Sequence, residues 1–243
     1  MRQSDESLLF APLPDRSRLM HWLKRKVPNP RLSFHSRQSR HQFAMFVERM
    51  MGRPGTIILN LGSKSINLGP NVLNLDICAY PGVHVVGDGH HLPFRDGSVD
   101  GVVITSVLEH VAVPSVVVRE VARVLRVGGE VYAEVPFMQP FHPDPVDYQR
   151  YTVTGLERLF EDFEIIQRGV CVGPHSALAW ILSEYVAIML CLGSHWAYKL
   201  LVRLFRILFT PLILLDFLLE RNPYSLALAS SYFLVGLKST LLA

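Results

Sequence analysis

The sequence predicts an α/β protein built on an open, mostly parallel sheet, and three observations carry that expectation. Residues 83–87 and 99–105 are short apolar runs rich in β-branched side chains that stop at Asp88 and Ser106, as strands buried on both faces do. Before the next apolar run, 130–135, Pro114 can sit in the first turn of a helix. Val117, Val121, Val124 and Leu125 then recur at helical spacing, and Gly128-Gly129 ends it. The length of 243 residues suits one such domain with an appendage, not two full domains. Ligands of open parallel sheets bind beyond the carboxyl ends of the strands, so Asp88, Ser106, Glu109 and His110 should line one crevice.

Composition narrows the class. Hydrophobic residues make up 49% of the chain and mean hydropathy is +0.25, with the excess concentrated after Pro174. The net charge of +3 does not call for a nucleic-acid partner, and none is expected. Cys78, Cys171 and Cys191 are far apart, with no CxxC pair and no nearby histidine at ligand spacing, so neither a disulfide framework nor a metal site is expected. A reduced, cytoplasmic setting follows. The N-terminus is acidic early and lacks a sustained apolar core, unlike a secretory signal.

Taken in order, residues 1–34 mix proline, serine and charge and read as a basic arm, with a short helix at 17–26. Its arginines and lysines suit an anionic membrane surface or a solvated arm. Residues 35–51 carry Phe43, Phe46, Val47, Met50 and Met51 at helical spacing and should pack on the sheet edge; Gly52, Pro54 and Gly55 end them. The run 56–61 is the first strand, followed by Gly62. Residues 72–77 are the second, ending in Asp76, and only a short segment separates the two, so the first crossover helix must be abbreviated or absent. Asp100 opens the fourth strand and reads as structural. Past the fifth strand, PFMQPFHPDPVDYQRYT crowds His142, Asp144, Asp147, Tyr148, Arg150 and Tyr151 among prolines. Thr154 to Glu157 has the form of a capping box, and 163–172 is the sixth strand.

After Pro174 the character changes. Ser176 should cap an apolar helix reaching about residue 192, with Glu184 its one formal charge and too short for a comfortable membrane span of about twenty residues. Lys199, Arg203 and Arg206 share a face of a second helix, which Pro211 should interrupt. An apolar run at 212–219 surrounds Asp216, and 229–238 reads as a last strand.

The motifs GDGHHLPFRDGSVDGVV, VLEHV and REVARVLRVGG resemble the class I S-adenosylmethionine-dependent methyltransferases, in particular the subgroup that includes quinone-biosynthesis enzymes. The loop from Pro136 to Thr152 is similar to one found in methyltransferases of cell-envelope and glycan contexts. The resemblance implies a Rossmann-like sheet of seven strands with the last antiparallel, and places the apolar helices as an insertion between the last two strands. The corresponding division is a basic arm 1–34, a cofactor-binding core 35–173, a hydrophobic insertion 174–225 at the membrane interface, and a last strand and C-terminus 226–243.

It also implies S-adenosyl-L-methionine as cofactor. Asp76 would accept the ribose hydroxyls, with Ile77 beside it, and Asp88 the adenine amino group, with Gly89 alongside. Gly62 would let the backbone approach the cofactor, Asn60 or Ser63 would bond its amino-acid end, and Ser106 would close the crevice. The family's glycine pattern is degenerate here, because Asn60, Gly62, Lys64 and Ile66 stand at its four positions and only the first glycine is kept. The sulfonium cofactor has no pyrophosphate, so it needs fewer converging amides than a dinucleotide.

His110, His142 and Tyr148 are the candidate catalytic residues, on the acceptor side, where a base must take one proton. The expected activity is methyl transfer, foremost to a hydroxyl, on a lipid-linked or glycan small-molecule acceptor, by a protein peripheral or monotopic on the inner face of the cytoplasmic membrane. A homodimer remains open. The rival reading is a non-catalytic binding or assembly partner on the same fold. A nicotinamide enzyme is disfavoured because GxGxxG is absent.

Overall fold

The computed structural model describes residues 35–52, 55–66 and 68–239; the arm and the helix expected at 17–26 lie outside them. The elements are α1 (Arg37–Met51), β1 (Ile58–Leu61), β2 (Val72–Asp76), β3 (Val85–Val86), β4 (Val99–Thr105), α2 (Pro114–Val124), β5 (Leu125–Pro136), α3 (Val153–Leu159), β6 (Glu164–Val172), α4 (Pro174–Leu190), α5 (His195–Ile213), α6 (Asp216–Leu219), a 3₁₀ turn (Pro223–Leu228) and β7 (Ser231–Leu237). One seven-stranded sheet has the order β3-β2-β1-β4-β5-β7-β6. β1 to β5 pair in parallel, and β7 runs antiparallel to both β5 and β6. The chain reverses between β1 and β4, the switch point at which open sheets form a crevice.

The two faces are covered unequally. On one, α2 and α3 bury Leu59, Leu61, Val102, Ile104, Val117, Val121 and Leu156 in the larger core. On the other, α1 lays Phe46 and Met50 against Ile58, Val103, Tyr132 and Phe233. The helix expected at the sheet edge therefore lies across the sheet face. Gly101 of β4 allows it, since a Cβ there would come within 3.0 Å of Met50 Sδ and 3.1 Å of Phe46 Cζ. Arg49 holds the helix down through both oxygens of Glu130, at 2.6 to 3.2 Å.

Among the described residues no helix stands between β1 and β2 or between β2 and β3. On that uncovered part of the sheet the strands carry amides: Asn60 Nδ2 donates to Asn74 Oδ1 at 3.1 Å, and Asn74 Nδ2 donates to the Gly82 carbonyl at 3.0 Å. Buried amides paired across strands satisfy each other where an apolar side chain would have no helix to meet.

Three local expectations shift. The cap of α3 is Thr152, whose Oγ1 accepts from Gly155 N–H at 3.1 Å, so the helix opens two residues before the Thr154 box. α4 starts at Pro174 after Gly173, with no cap from its own N-cap side chain; Ser176 instead turns its hydroxyl to Asp216. α5 continues through Pro211 to Ile213. A proline so near the helix end forfeits one hydrogen bond in the last turn and leaves the rest intact. Between α4 and α5, Glu184 accepts from Tyr198 Oη at 2.5 Å and from Arg206 at 3.0 Å, and the Arg206 guanidinium lies 5.4 Å from the centroid of the Trp180 ring. Arg206 therefore belongs to the helix pair and does not share an outward face with Lys199 and Arg203.

Candidate active site

Gly62 leaves β1 with φ +70°, and a Cβ there would fall 2.2 Å from Val107 Cγ2. Only glycine fits this close approach of the loops after β1 and β4. The Gly62 and Ser63 amides both donate to the Leu75 carbonyl, at 2.8 and 3.1 Å. Asp76, at the end of β2, fixes the same loop: its carboxylate accepts from Lys64 N–H at 2.9 Å and Cys78 N–H at 3.0 Å. Ile77 beside it is largely exposed. Ser106 ends β4 in the left-handed region at φ +54°, a conformation that non-glycine residues adopt at some cost and mostly at sites.

A cleft of about 490 Å³ opens where these loops meet, lined by Gly62, Ser63, Lys64, Thr105, Ser106 and Glu134 among others. It lies on the α1 side of the sheet, with Arg40 and Phe43 of that helix as its far wall. Ser63 is 1% exposed and its hydroxyl has no hydrogen-bond partner among the described residues. A buried, unpaired hydroxyl beside a cleft is what a polar ligand would satisfy. Asn60, which also lines the cleft, has its amide nitrogen committed to Asn74. Asp88 accepts from both the amide and ring of His90, at 2.9 and 2.7 Å, and the amide hydrogen bond foremost holds its pKa below the usual value. Gly89 packs next to Leu61 and Val117.

On the acceptor side, the turn after β4 and the loop after β5 are stitched together. Tyr148 N–H donates to the Glu109 carbonyl at 2.8 Å, Gln149 Nε2 to the carbonyls of Leu108 and Val111, and Tyr151 Oη to Leu108 at 3.0 Å. Within the loop Arg150 grips the nearly inaccessible Asp147, whose pKa it holds down at about 2. The His110 and His142 rings meet edge to face with centroids 5.4 Å apart, and the Glu109 carboxylate beside His142 raises that imidazole's pKa. The Tyr148 side chain is exposed. Lys64 Nζ and Asp144, 2.5 Å apart, join the loop after β1 to the loop after β5 across the crevice. This bond raises the lysine pKa and lowers that of the aspartate.

Sequence reasoning missed the wall of the cleft formed by Glu134. The side chain of this acid within an apolar strand is 12% exposed, and it accepts from Tyr132 Oη at 2.7 Å, while His35 Nε2 lies 3.1 Å away. The polar interruption in an otherwise apolar run was the available signal. Burial pushes the Glu134 carboxyl up, but His35 and Tyr132 outweigh it and hold its pKa below the usual value; the Glu134 hydrogen bond raises His35.

The signs set a window. The Glu134 contribution is lost as pH falls through its depressed folded value, and the His35 contribution, full below its unfolded value of 6.5, is lost as pH rises through the raised folded one. His35 is 46% exposed, so screening limits the effect to about 1 kcal/mol or less. His35→Ala should therefore lower the melting temperature at pH 6 more than at pH 9. Equal losses at both would mean that the pair carries no charge.

A model of the methyltransferase domain matches residues 62–133, from Gly62 to the middle of β5. Together with the strand order and the antiparallel β7, that match decides the fold. The sheet is the Rossmann-like fold of the methyltransferases.

A candidate sarcosine dimethylglycine methyltransferase from Galdieria sulphuraria has a similar structure, with a TM-score of 0.53 at 12% identity over 91% of this chain and 97% of that one. The [4+2]-cyclase SpnF is similar with a TM-score of 0.50 at 14% identity, over 82% of this chain and 80% of that one. An uncharacterised 37.1 kDa protein in transposon TN4556 of Streptomyces fradiae is 30% identical over 150 residues, 52% of this chain. The chain spans 43% of that relative's length. A fold shared with a cyclase leaves the chemistry to be decided by the site and not by the sheet.

Proposed function

We propose that the chain transfers a methyl group from S-adenosyl-L-methionine to a hydroxyl of a lipid-linked or glycan acceptor at the inner face of the cytoplasmic membrane. The observation that carries this reading is the unpaired Ser63 hydroxyl in the cleft beside the Gly62 approach. Ser63 and Lys64 would hold the amino-acid end of the cofactor, Asp76 its ribose and Asp88 its adenine. When bound, the sulfonium supplies a methyl already activated for transfer, so the chain's own residues orient the acceptor and manage one proton. His110, His142 and Tyr148 are the proposed acceptor-side residues.

Each oxygen of Asp76 accepts one backbone amide, and a carboxylate oxygen has a second lone pair for a ribose hydroxyl. Losing charged hydrogen bonds costs about 1.5 to 3 kcal/mol, so Asp76→Ala should weaken cofactor binding by roughly one to two decades in calorimetry. Undiminished affinity in the folded variant would refute the assignment. A wild-type chain that does not bind the cofactor would favour the non-catalytic assembly partner.

The membrane half of the reading rests on α4 and α5. No helix among the described residues is long and apolar enough to cross a membrane. The pair and α6 nonetheless expose Tyr185, Ile188, Met189, Leu208, Phe217 and Leu218, with Lys199 and Arg203 along α5. That suits an interfacial helix pair on an anionic bilayer. Trp180 of α4 stands 5.5 Å from the His142 ring, so a surface-bound pair would hold the acceptor loop beside the headgroups. Co-sedimentation with vesicles containing anionic lipid should therefore exceed that with neutral vesicles. A monodisperse dimer indifferent to both would mean that the apolar surface binds a second copy.

A further inference from the structure

We propose that Glu109, His110 and His142 form a binding site for a divalent first-row transition-metal ion. Glu109 is wholly buried, and neither of its carboxylate oxygens has a hydrogen-bond partner among the described residues. A buried carboxylate left in that state is expensive unless a cation neutralises it. Two imidazoles face it: His110 Nε2 lies 3.7 Å and His142 Nε2 3.9 Å from Oε1. Both separations are too long for a hydrogen bond, so a shared proton does not account for the arrangement.

The hydrogen bonds on the far side of each ring assign its tautomer. His110 Nδ1 is 2.5 Å from the Val146 carbonyl, and His142 Nδ1 is 2.9 Å from the Pro140 carbonyl. A carbonyl only accepts, so both Nδ1 atoms carry the proton and both Nε2 atoms present lone pairs. Arg150 Nη2 is also 3.1 Å from His142 Nδ1, but its hydrogens already go to Pro140 and Asp147, at 3.0 and 2.6 Å. Three acceptor atoms, one on each residue, thus lie within 4.8 Å of one another with no donor between them.

An ion held at about 2.0 to 2.2 Å from nitrogen and oxygen ligands would set them roughly 3.4 Å apart in a tetrahedron. Side-chain rotation of a few tenths of an ångström closes the two nitrogen–oxygen separations, and the two ring nitrogens, within 4.8 Å of each other, draw together by up to about 1.4 Å to reach that tetrahedral spacing. Metal-ligating histidines characteristically give their other ring N–H to a carbonyl, as both do here. The frame is also rigid, since Gln149, Tyr151 and the Tyr148 amide lock the two ligand-bearing loops together. Two imidazoles and one carboxylate suit zinc, iron(II) or manganese(II) and leave positions open for water or a substrate oxygen. The edges of both rings reach the surface, with side chains 13% and 26% exposed. The site does not depend on the methyltransferase reading. If both hold, an acceptor hydroxyl would enter an open position and be acidified there by the ion.

The test uses the full chain, stripped with chelator and titrated with Zn²⁺ or Mn²⁺ alone, by calorimetry and, for manganese, by paramagnetic resonance. Saturable uptake of one ion per chain is expected. Glu109→Gln and His142→Ala should each weaken it by at least about 10- to 100-fold, while Glu161→Gln, at an exposed carboxylate outside both sites, should bind as the wild type does. The two ligand variants guard against one of them failing to fold. No uptake by folded wild type, or unchanged uptake in both folded ligand variants, would overturn the site. S-adenosylmethionine affinity measured on the same samples keeps the two proposals apart: cofactor binding without ion uptake defeats the metal site alone, and ion uptake without cofactor binding supports it while the methyl-transfer reading falls.

Discussion

Replacing Gly62 with alanine is expected to weaken S-adenosylmethionine binding by roughly ten- to a hundredfold and to lower the melting temperature. The backbone at φ +70° costs a residue with a Cβ about 1 to 2 kcal/mol. The added methyl would also sit 2.2 Å from Val107 Cγ2, so one of the two loops must give way. Neither moves freely, because the Gly62 and Ser63 amides are tied to Leu75 and the Lys64 amide to Asp76. The displacement is therefore passed to Ser63 and Lys64. Val107→Ala in the same chain should restore part of the affinity by removing the collision, but not the part due to backbone strain. Binding at wild-type strength in the single variant would show that this loop does not cradle the cofactor.

Asp216→Ala is expected to destabilise the protein by about 3 kcal/mol, a fall of roughly 6 to 12 °C in melting temperature. Asp216 sits at the start of α6, yet it caps α4. Its carboxylate accepts from His175 N–H at 2.7 Å, Ser176 N–H at 3.1 Å and Ser176 Oγ at 2.5 Å. Those amides are among the orphan donors of α4, which has no cap of its own. Gly173 makes room, since a Cβ there would come within 2.4 Å of Asp216 Oδ1. Removing the carboxylate leaves two buried amides and a hydroxyl without acceptors. Leu214→Ser, at a neighbouring exposed side chain, is the control and should change the melting temperature little. An Asp216→Ala protein as stable as that control would mean that water replaces the cap.

Apolar runs ending in polar residues made β1, β2, β4 and β5 legible, because strands buried on both faces have no other way to be written. α2 was legible as far as Val124, because valines recur on one face after Pro114, but Leu125 and Gly128-Gly129, read as the end of the helix, belong to the start of β5. Long-range partners were not legible. Asp216 read as an interruption in an apolar run, and nothing local says that its acceptors meet amides some forty residues earlier. Likewise, His142 joins Glu109 and His110 only because β4 and β5 are neighbours in the sheet and Gln149 and Tyr151 tie their loops together. Spacing along the chain records no such closure. The place of α1 was misread because its apolar stripe announces burial without naming a surface, and only Gly101 reveals where a helix can press on the sheet.

The position of β7 bears on the order in which the chain can assemble. β1 meets β2, and β2 meets β3, across short connections, so these pairings form early at low entropic cost. β7 inserts between β5 and β6, and Glu130 faces Leu237 from more than one hundred residues away. That ladder closes only after the helices encoded between β6 and β7 have emerged and begun to pack. Until then β5 and β6 each present an open edge able to recruit another chain. The Asp216 cap thus shortens the interval during which a half-built sheet is adhesive, and its loss should show in the yield of soluble protein on refolding before it shows in the behaviour of the finished one.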